Sequence, residues 1–217
     1  AGIPAGVFSV VTGAREDAAE IGEELSTNPI VRKIGFTGST PVGKILMRNA
    51  SATVKKVSLE LGGNAPLIVF NDADIDLAVN GTMSGKFRNA GQVCVAPNRI
   101  LVQDDIFDRY VDKLAARVQQ LKVGNGMEDG VTMGPLINER GFEKVQRHVD
   151  QATGAGAKVM VGGHAHNLGG SFFQPTVITG VTTDMDMTQE ETFGPVAALV
   201  RFKSEEDAVR IANDTPF

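Results

Sequence analysis

Cysteine is nearly absent from this chain: the 217 residues include one, Cys94. An internal disulfide is therefore excluded, and the chain suits a reducing compartment, the cytoplasm. Basic runs are absent too. The 21 Lys and Arg are outnumbered by 26 Asp and Glu, the net charge is -5, and the two signs are interspersed. A nucleic-acid partner is not expected. No apolar run reaches the length that spans a bilayer, so no membrane partner is expected either. The opening Ala1-Gly2-Ile3-Pro4 lacks the basic and apolar regions of a secretory signal. Nor is a metal site expected. His148, His164 and His166 have no cysteine nearby and no ligand spacing, and surface positions suit all three.

What is present is a repeated alternation of strand and helix signals, with 42% hydrophobic residues to fill a core. Val7–Val11 and Ile30–Phe36 read as strands, with a charged helix over Arg15–Leu25 between them. Pro41–Asn49 reads as a helix capped by Ser39 or Thr40, with Pro41 in its first turn. Strands are expected at Lys55–Leu61 and Leu67–Phe70, then a helix over Asp74–Arg88. In the second half, Arg99–Gln103, Lys158–Val161, Thr176–Ile178 and Ala197–Phe202 read as strands. The strongest helix is Ile106–Leu121, whose Ile106, Phe107, Tyr110, Val111, Leu114, Val118 and Leu121 share one face. Phe142, Val145 and Val149 mark another helix, and Ser204-Glu205-Glu206-Asp207 opens a last one as a capping box does. This order predicts an α/β fold with a largely parallel sheet.

Four segments carry chemistry. Gly91 opens a turn and Pro97 bars a helix, so Cys94 between them can be a nucleophile aimed at a cleft; a buried small hydrophobe is the alternative. Glu60 ends a strand just before Gly62-Gly63, where it can face a cleft as a base or simply be solvated. Gly35-Phe36-Thr37-Gly38-Ser39-Thr40-Pro41-Val42-Gly43-Lys44 leaves a strand and enters a helix, a start that suits a phosphate. The same stretch nearly matches a P-loop, which opens a nucleotide-hydrolase reading, but Ile45 stands where the magnesium-binding Ser or Thr belongs. Glu190-Glu191-Thr192-Phe193-Gly194-Pro195 is either a solvated acidic loop or a carboxylate for a sugar hydroxyl with Phe193 beside a planar ring.

In this order and spacing, Gly35-Phe36-Thr37-Gly38-Ser39, Leu59-Glu60-Leu61-Gly62-Gly63, Gly91-Gln92-Val93-Cys94 and Glu191-Thr192-Phe193-Gly194-Pro195 resemble the NAD(P)-dependent aldehyde dehydrogenase superfamily along the whole chain. The resemblance implies the family's three-layer α/β sandwich. Residues 1–62 would be the C-terminal part of a dinucleotide-binding domain, and 63–217 a catalytic domain truncated at its C-terminus. It also implies a middle segment of a longer protein, a homo-oligomer, with this piece inactive on its own.

The resemblance further implies roles. Cys94 would attack the aldehyde to give a thiohemiacetal and then a thioester, and Glu60 would activate the hydrolytic water. Gly38, Ser39, Leu61, Glu191 and Phe193 would bind NAD or NADP, with Lys144 a further candidate near the ribose. Arg88-Asn89-Ala90-Gly91-Gln92 is similar to succinate-semialdehyde dehydrogenases, where the arginine would grip the substrate's distal carboxylate. Glutarate-semialdehyde dehydrogenases share much of this pattern. The small-molecule substrate would thus be a semialdehyde. Ala96 stands where some relatives carry a second cysteine, so no disulfide can form within this loop.

Overall fold

The computed structural model describes residues 2–217. The chain divides into two compact units, Ala1–Gly62 and Gly63–Phe217.

In the first unit, helix α1 (Ala18–Thr27) leads to strand β1 (Lys33–Thr37), helix α2 (Thr40–Ser51) and strand β2 (Lys56–Glu60). β1 and β2 pair in parallel from Lys33 opposite Lys56 to Thr37 opposite Glu60. α2 is the crossover such a parallel pair requires. It buries Gly43, Leu46 and Ala50, an i, i+3, i+7 stripe. The buried Lys55 donates from Nζ to the carbonyls of Leu25 and Asn28, 3.4 and 2.8 Å away, tying the end of α1 to the approach to β2. The strand expected at Val7–Val11 does not form. Its apolar side chains are exposed, Val11 at 84%, and no described strand pairs with it. A β-branched run without a neighbouring ladder has nothing to bury its face against. The strand expected from Ile30 begins only at Lys33, because Asn28 Oδ1 accepts from the Ile30 N–H in a tight turn.

The second unit is built on a five-stranded sheet. Its elements are β3 (Pro66–Val69), α3 (Ile75–Lys86), β4 (Arg99–Gln103), α4 (Asp104–Val118), α5 (Glu139–Gly154), β5 (Lys158–Val161), β6 (Thr176–Thr179), the short α6 (Asp186–Gln189), β7 (Val196–Phe202) and α7 (Glu205–Asn213). The order across the sheet is β3-β4-β7-β6-β5. All neighbours are parallel except β5, which runs antiparallel at the edge. β4 and β7 are buried on both faces, as central parallel strands are. Alternate residues divide the core in two. Leu101, Ala198, Val200 and Phe202 pack with Val145, Val149 and Ala152 of α5 and Ala208 and Ile211 of α7. Ile100, Val102, Ala197 and Leu199 pack with Val79 of α3 and the Ile106–Val118 face of α4. The result is helix, sheet, helix: three layers.

Of the expected caps, Ser204 forms its side-chain bond, whereas Ser39 stands at the N-cap of α2 without one. Asp74 Oδ1 accepts from the Asp76 and Leu77 N–H groups, and Ser204 Oγ accepts from Asp207 N–H. One assignment of a side chain to the surface is overturned. His148 is fully buried on α5, with Nδ1 3.1 Å from Thr192 Oγ1 and Nε2 3.1 Å from Glu190. It lies three residues after Val145, on the stripe that faces the sheet. Among the described residues, no helix is long and apolar enough to cross a membrane.

Candidate active site

The loop bearing Cys94 starts where α3 ends. After Phe87 and Arg88 the backbone turns left-handed for Asn89 (φ 54°), Ala90 (φ 54°) and Gly91 (φ 72°). A side chain in this region crowds the following carbonyl, at roughly 1–2 kcal/mol per residue. Such strain persists only where neighbours enforce it, and here they do. Ala90 is buried, and its N–H donates to Phe87 O at 3.2 Å. Asn89 Nδ2 donates to Gln92 O at 3.0 Å. The Gln92 side chain donates to Asn89 O (3.1 Å) and Pro135 O (3.3 Å), and accepts from Ile137 N–H at 2.8 Å. It thereby sews the loop to the segment before α5. Gly91 is obligatory for a second reason. A Cβ there would fall 2.1 Å from Gly194 O, so glycine alone lets the loop close on the Glu191–Pro195 segment. Cys94 emerges from this turn exposed, which removes the buried-hydrophobe alternative.

Glu190 and Glu191 have opposite environments. Glu190 is paired: Arg147 Nη2 donates to it at 2.7 Å, and His148 adds a contact at 3.1 Å. The hydrogen bond from Arg147 holds its carboxyl below the usual range. Arg147 also reaches Asp186 at 2.8 Å, anchoring α6. Glu191 points the other way and is half-buried; burial raises its pKa. Its Oε1 accepts from Gly63 N–H at 3.3 Å, and its carbonyl accepts from Lys144 Nζ at 2.9 Å. Phe193 (φ 53°) is half-buried and lines a cleft of about 390 Å³ with Asn89, Gln92, Pro135, Leu136 and Ile137. The second unit thus gathers the Cys94 loop, Glu191 and Phe193. Arg88 stands exposed at the start of the same loop, and no carboxylate of its own unit pairs with it.

The first unit gathers another set. Gly38 and Ser39 connect β1 to α2, and Gly38 N–H donates to Glu60 O at 2.9 Å. The Ser39 side chain makes no capping bond, which leaves its hydroxyl and the first-turn N–H groups of Thr40 and Val42 at the helix start. Leu61 lies under α2, where a Cβ on Gly43 would come within 2.7 Å of its Cδ2. Glu60 is exposed at the end of β2. The P-loop reading loses its geometry: only two residues join strand to helix, and Gly43 and Lys44 lie inside α2.

Sequence reasoning missed the polar residues beneath the Cys94 loop. Lys86 is fully buried and donates to Asn98 Oδ1 at 3.0 Å. Arg99 is also buried, with its guanidinium bound to the carbonyls of Asn64, Ile211 and Ala212 at 2.8–2.9 Å. One signal was available for Lys86. Val79, Thr82 and Lys86 fall at i, i+3 and i+7, on the stripe of α3 that turns inward.

The chain is thus two α/β units, one with an open helix start and one with an exposed cysteine on a strained loop. The whole chain, residues 1–217, matches the model of the aldehyde dehydrogenase family, and the chain belongs to that family. It is 59% identical, over its full length, to 3-sulfolactaldehyde dehydrogenase of Pseudomonas putida, of which it covers 44%. It is 54% identical to the NADP-dependent succinate-semialdehyde dehydrogenase of Escherichia coli, again over the full chain and 44% of that protein. Among solved structures, succinate-semialdehyde dehydrogenase from Burkholderia pseudomallei superposes with a TM-score of 0.96 at 56% identity, covering 100% of this chain and 44% of that one. The chain therefore spans less than half the length of these relatives.

Proposed function

We propose that the protein to which this chain belongs oxidises an anionic aldehyde, succinate semialdehyde in the first instance, to the acid with NAD or NADP as acceptor. The observation that carries this is the exposed Cys94, presented by a left-handed turn that packs against the Glu191–Pro195 segment. The names of the relatives that are 53–59% identical support the substrate class, since sulfolactaldehyde, succinate semialdehyde and glutarate semialdehyde each pair an aldehyde with a second, anionic group.

The residues fit the dinucleotide. Gly38, Ser39 and the start of α2 supply uncommitted donors of the kind a pyrophosphate takes. Leu61 supports that helix from below. Glu191 has one carboxylate oxygen engaged by Gly63, leaving the other to accept from ribose hydroxyls, with Phe193 alongside. When bound, the cofactor supplies the hydride acceptor. Cys94 does the rest of the first half-reaction. Its thiolate adds to the carbonyl carbon as a thiohemiacetal, which becomes a thioester on oxidation. Glu60 then takes a proton from water, the resulting hydroxide displaces the thiolate, and the acid leaves. Arg88 meets the distal anion through its planar guanidinium.

The test uses the full-length protein. Cys94→Ala should abolish aldehyde-dependent cofactor reduction while cofactor binding, followed by fluorescence titration, persists. Turnover retained in that variant would end this reading.

A further inference from the structure

Lys86 takes no part in the mechanism above, yet it is fully buried beneath the loop that carries it out. Residues 86 and 98 bracket the nucleophile loop, and the 3.0 Å bond from Lys86 Nζ to Asn98 Oδ1 joins its two ends. The connection continues. Asn98 Nδ2 donates to Gly63 O at 3.1 Å, and Gly63 N–H donates to Glu191 Oε1 at 3.3 Å. Lys86 O also sits under the turn, 3.0 Å from where a Gly91 side chain would begin. We propose that Lys86 is a positioning residue for Cys94: its side chain clasps the two ends of the nucleophile loop and, through Asn98 and Gly63, ties that loop to Glu191. The inference rests on reading Cys94 as the nucleophile.

Asn98 is neutral, and the charge facing Lys86 is Glu191, on the segment before β7. Lys144 of α5 lies beyond it, bonded to the Glu191 carbonyl. Burial lowers the Lys86 pKa to about 7, against the opposing pull of Glu191. A protonated amine makes the stronger, charge-assisted bond to Asn98. The clasp is therefore tightest below neutrality and slackens as pH rises through 7.

Amide hydrogen exchange of the full-length enzyme, read on a peptide covering residues 89–94 with α4 as internal reference, tests this. Lys86→Met keeps a straight side chain of similar length and removes the charge that must be buried. A space-filling role would leave it silent. The clasp predicts an unchanged or higher melting temperature at pH 6, with exchange in residues 89–94 about tenfold faster and α4 unaffected. Equal exchange, or acceleration of loop and α4 together, overturns the proposal. Should Lys86→Met fail to fold, Lys86→Gln decides. It retains a donor without charge, so its loop should exchange several-fold faster than wild type at pH 6 and within twofold at pH 9. A ratio independent of pH overturns the proposal. No aldehyde is consumed in these measurements, so a failure of the dehydrogenase reading and a failure of the clasp are separately visible.

Discussion

The β1–α2 turn and the loop before Cys94 both follow a regular element and both depend on glycine, yet only the second carries strain. Gly38 has an ordinary negative φ, and its neighbour Ser39 is extended, as any helix N-cap is. The other loop places Asn89, Ala90 and Gly91 in the left-handed region and holds them with Gln92, buried Ala90 and a close approach to Gly194 O. A site that offers backbone donors to a phosphate needs only an uncovered helix start. A thiol that must meet a carbon atom needs a fixed position, since an error near 1 Å can cost about 100-fold in rate. On the proposed reading of Cys94, the strain answers that demand.

The largest way to break this contrast is Gly91→Ala. The new Cβ would lie 2.1 Å from a backbone oxygen that cannot step aside, at a φ of 72° that alanine resists. We expect a loss of about 3 kcal/mol or more in stability and a fall in kcat of about 100-fold or more, measured by thermal unfolding and steady-state kinetics on the full-length enzyme. Tolerance of alanine at 91 would show that the loop can relax without penalty, and the argument from strain would fail.

Much of this architecture is legible in the sequence because it depends on local patterns. The Ile106–Val118 stripe, the Ser204 cap and the Gly-Pro punctuation around Cys94 announce themselves through periodicity and turn chemistry. Val7–Val11 fails for the converse reason. A strand is defined by its neighbour, and β-branched residues alone cannot say whether one exists. The site divides in the same way. Cys94, Glu60 and the Glu190-Glu191 pair are visible as residue types at turns and strand ends. Their environments are not: only the fold shows that Arg147 and His148 claim Glu190, which leaves Glu191 to face Gly63. Lys86, His148 and Arg99 were hidden because charged or titratable side chains are ordinarily placed at the surface. Each is buried with polar partners that come from distant positions in the chain.

Arg88 gives a smaller effect than Gly91 and sharpens the comparison from within the strained loop. It begins the loop without sharing its constraints, being exposed and unpaired with any carboxylate of its unit. Arg88→Leu should therefore leave the melting temperature nearly unchanged. A charge-assisted bond to a substrate carboxylate is worth about 1.5–3 kcal/mol, so KM for succinate semialdehyde should rise tenfold or more. KM for butanal should stay within about twofold. Equal losses on both aldehydes would make Arg88 a support for the loop and leave the substrate class unassigned beyond aldehydes.

The smallest effect belongs to the unstrained turn. A Cβ on Gly38 would meet the Phe36 ring, 2.4 Å from Cζ. That contact looks as severe as the one at Gly91, but its partner differs. Cζ is the far end of a half-exposed side chain that can swing about χ1, and Gly38 needs no left-handed backbone. Gly38→Ala should thus cost about 1 kcal/mol or less in stability. Because Gly38 N–H donates to Glu60 O and Ser39 follows directly, a swung Phe36 would crowd the helix start. The expected signature is a KM for the cofactor raised a few-fold, with the rate of Cys94 alkylation by iodoacetamide unchanged. A Gly38→Ala enzyme as unstable as Gly91→Ala would mean that the two turns are equally constrained, and strain would no longer distinguish the turn proposed to present a nucleophile from the turn proposed to receive a phosphate.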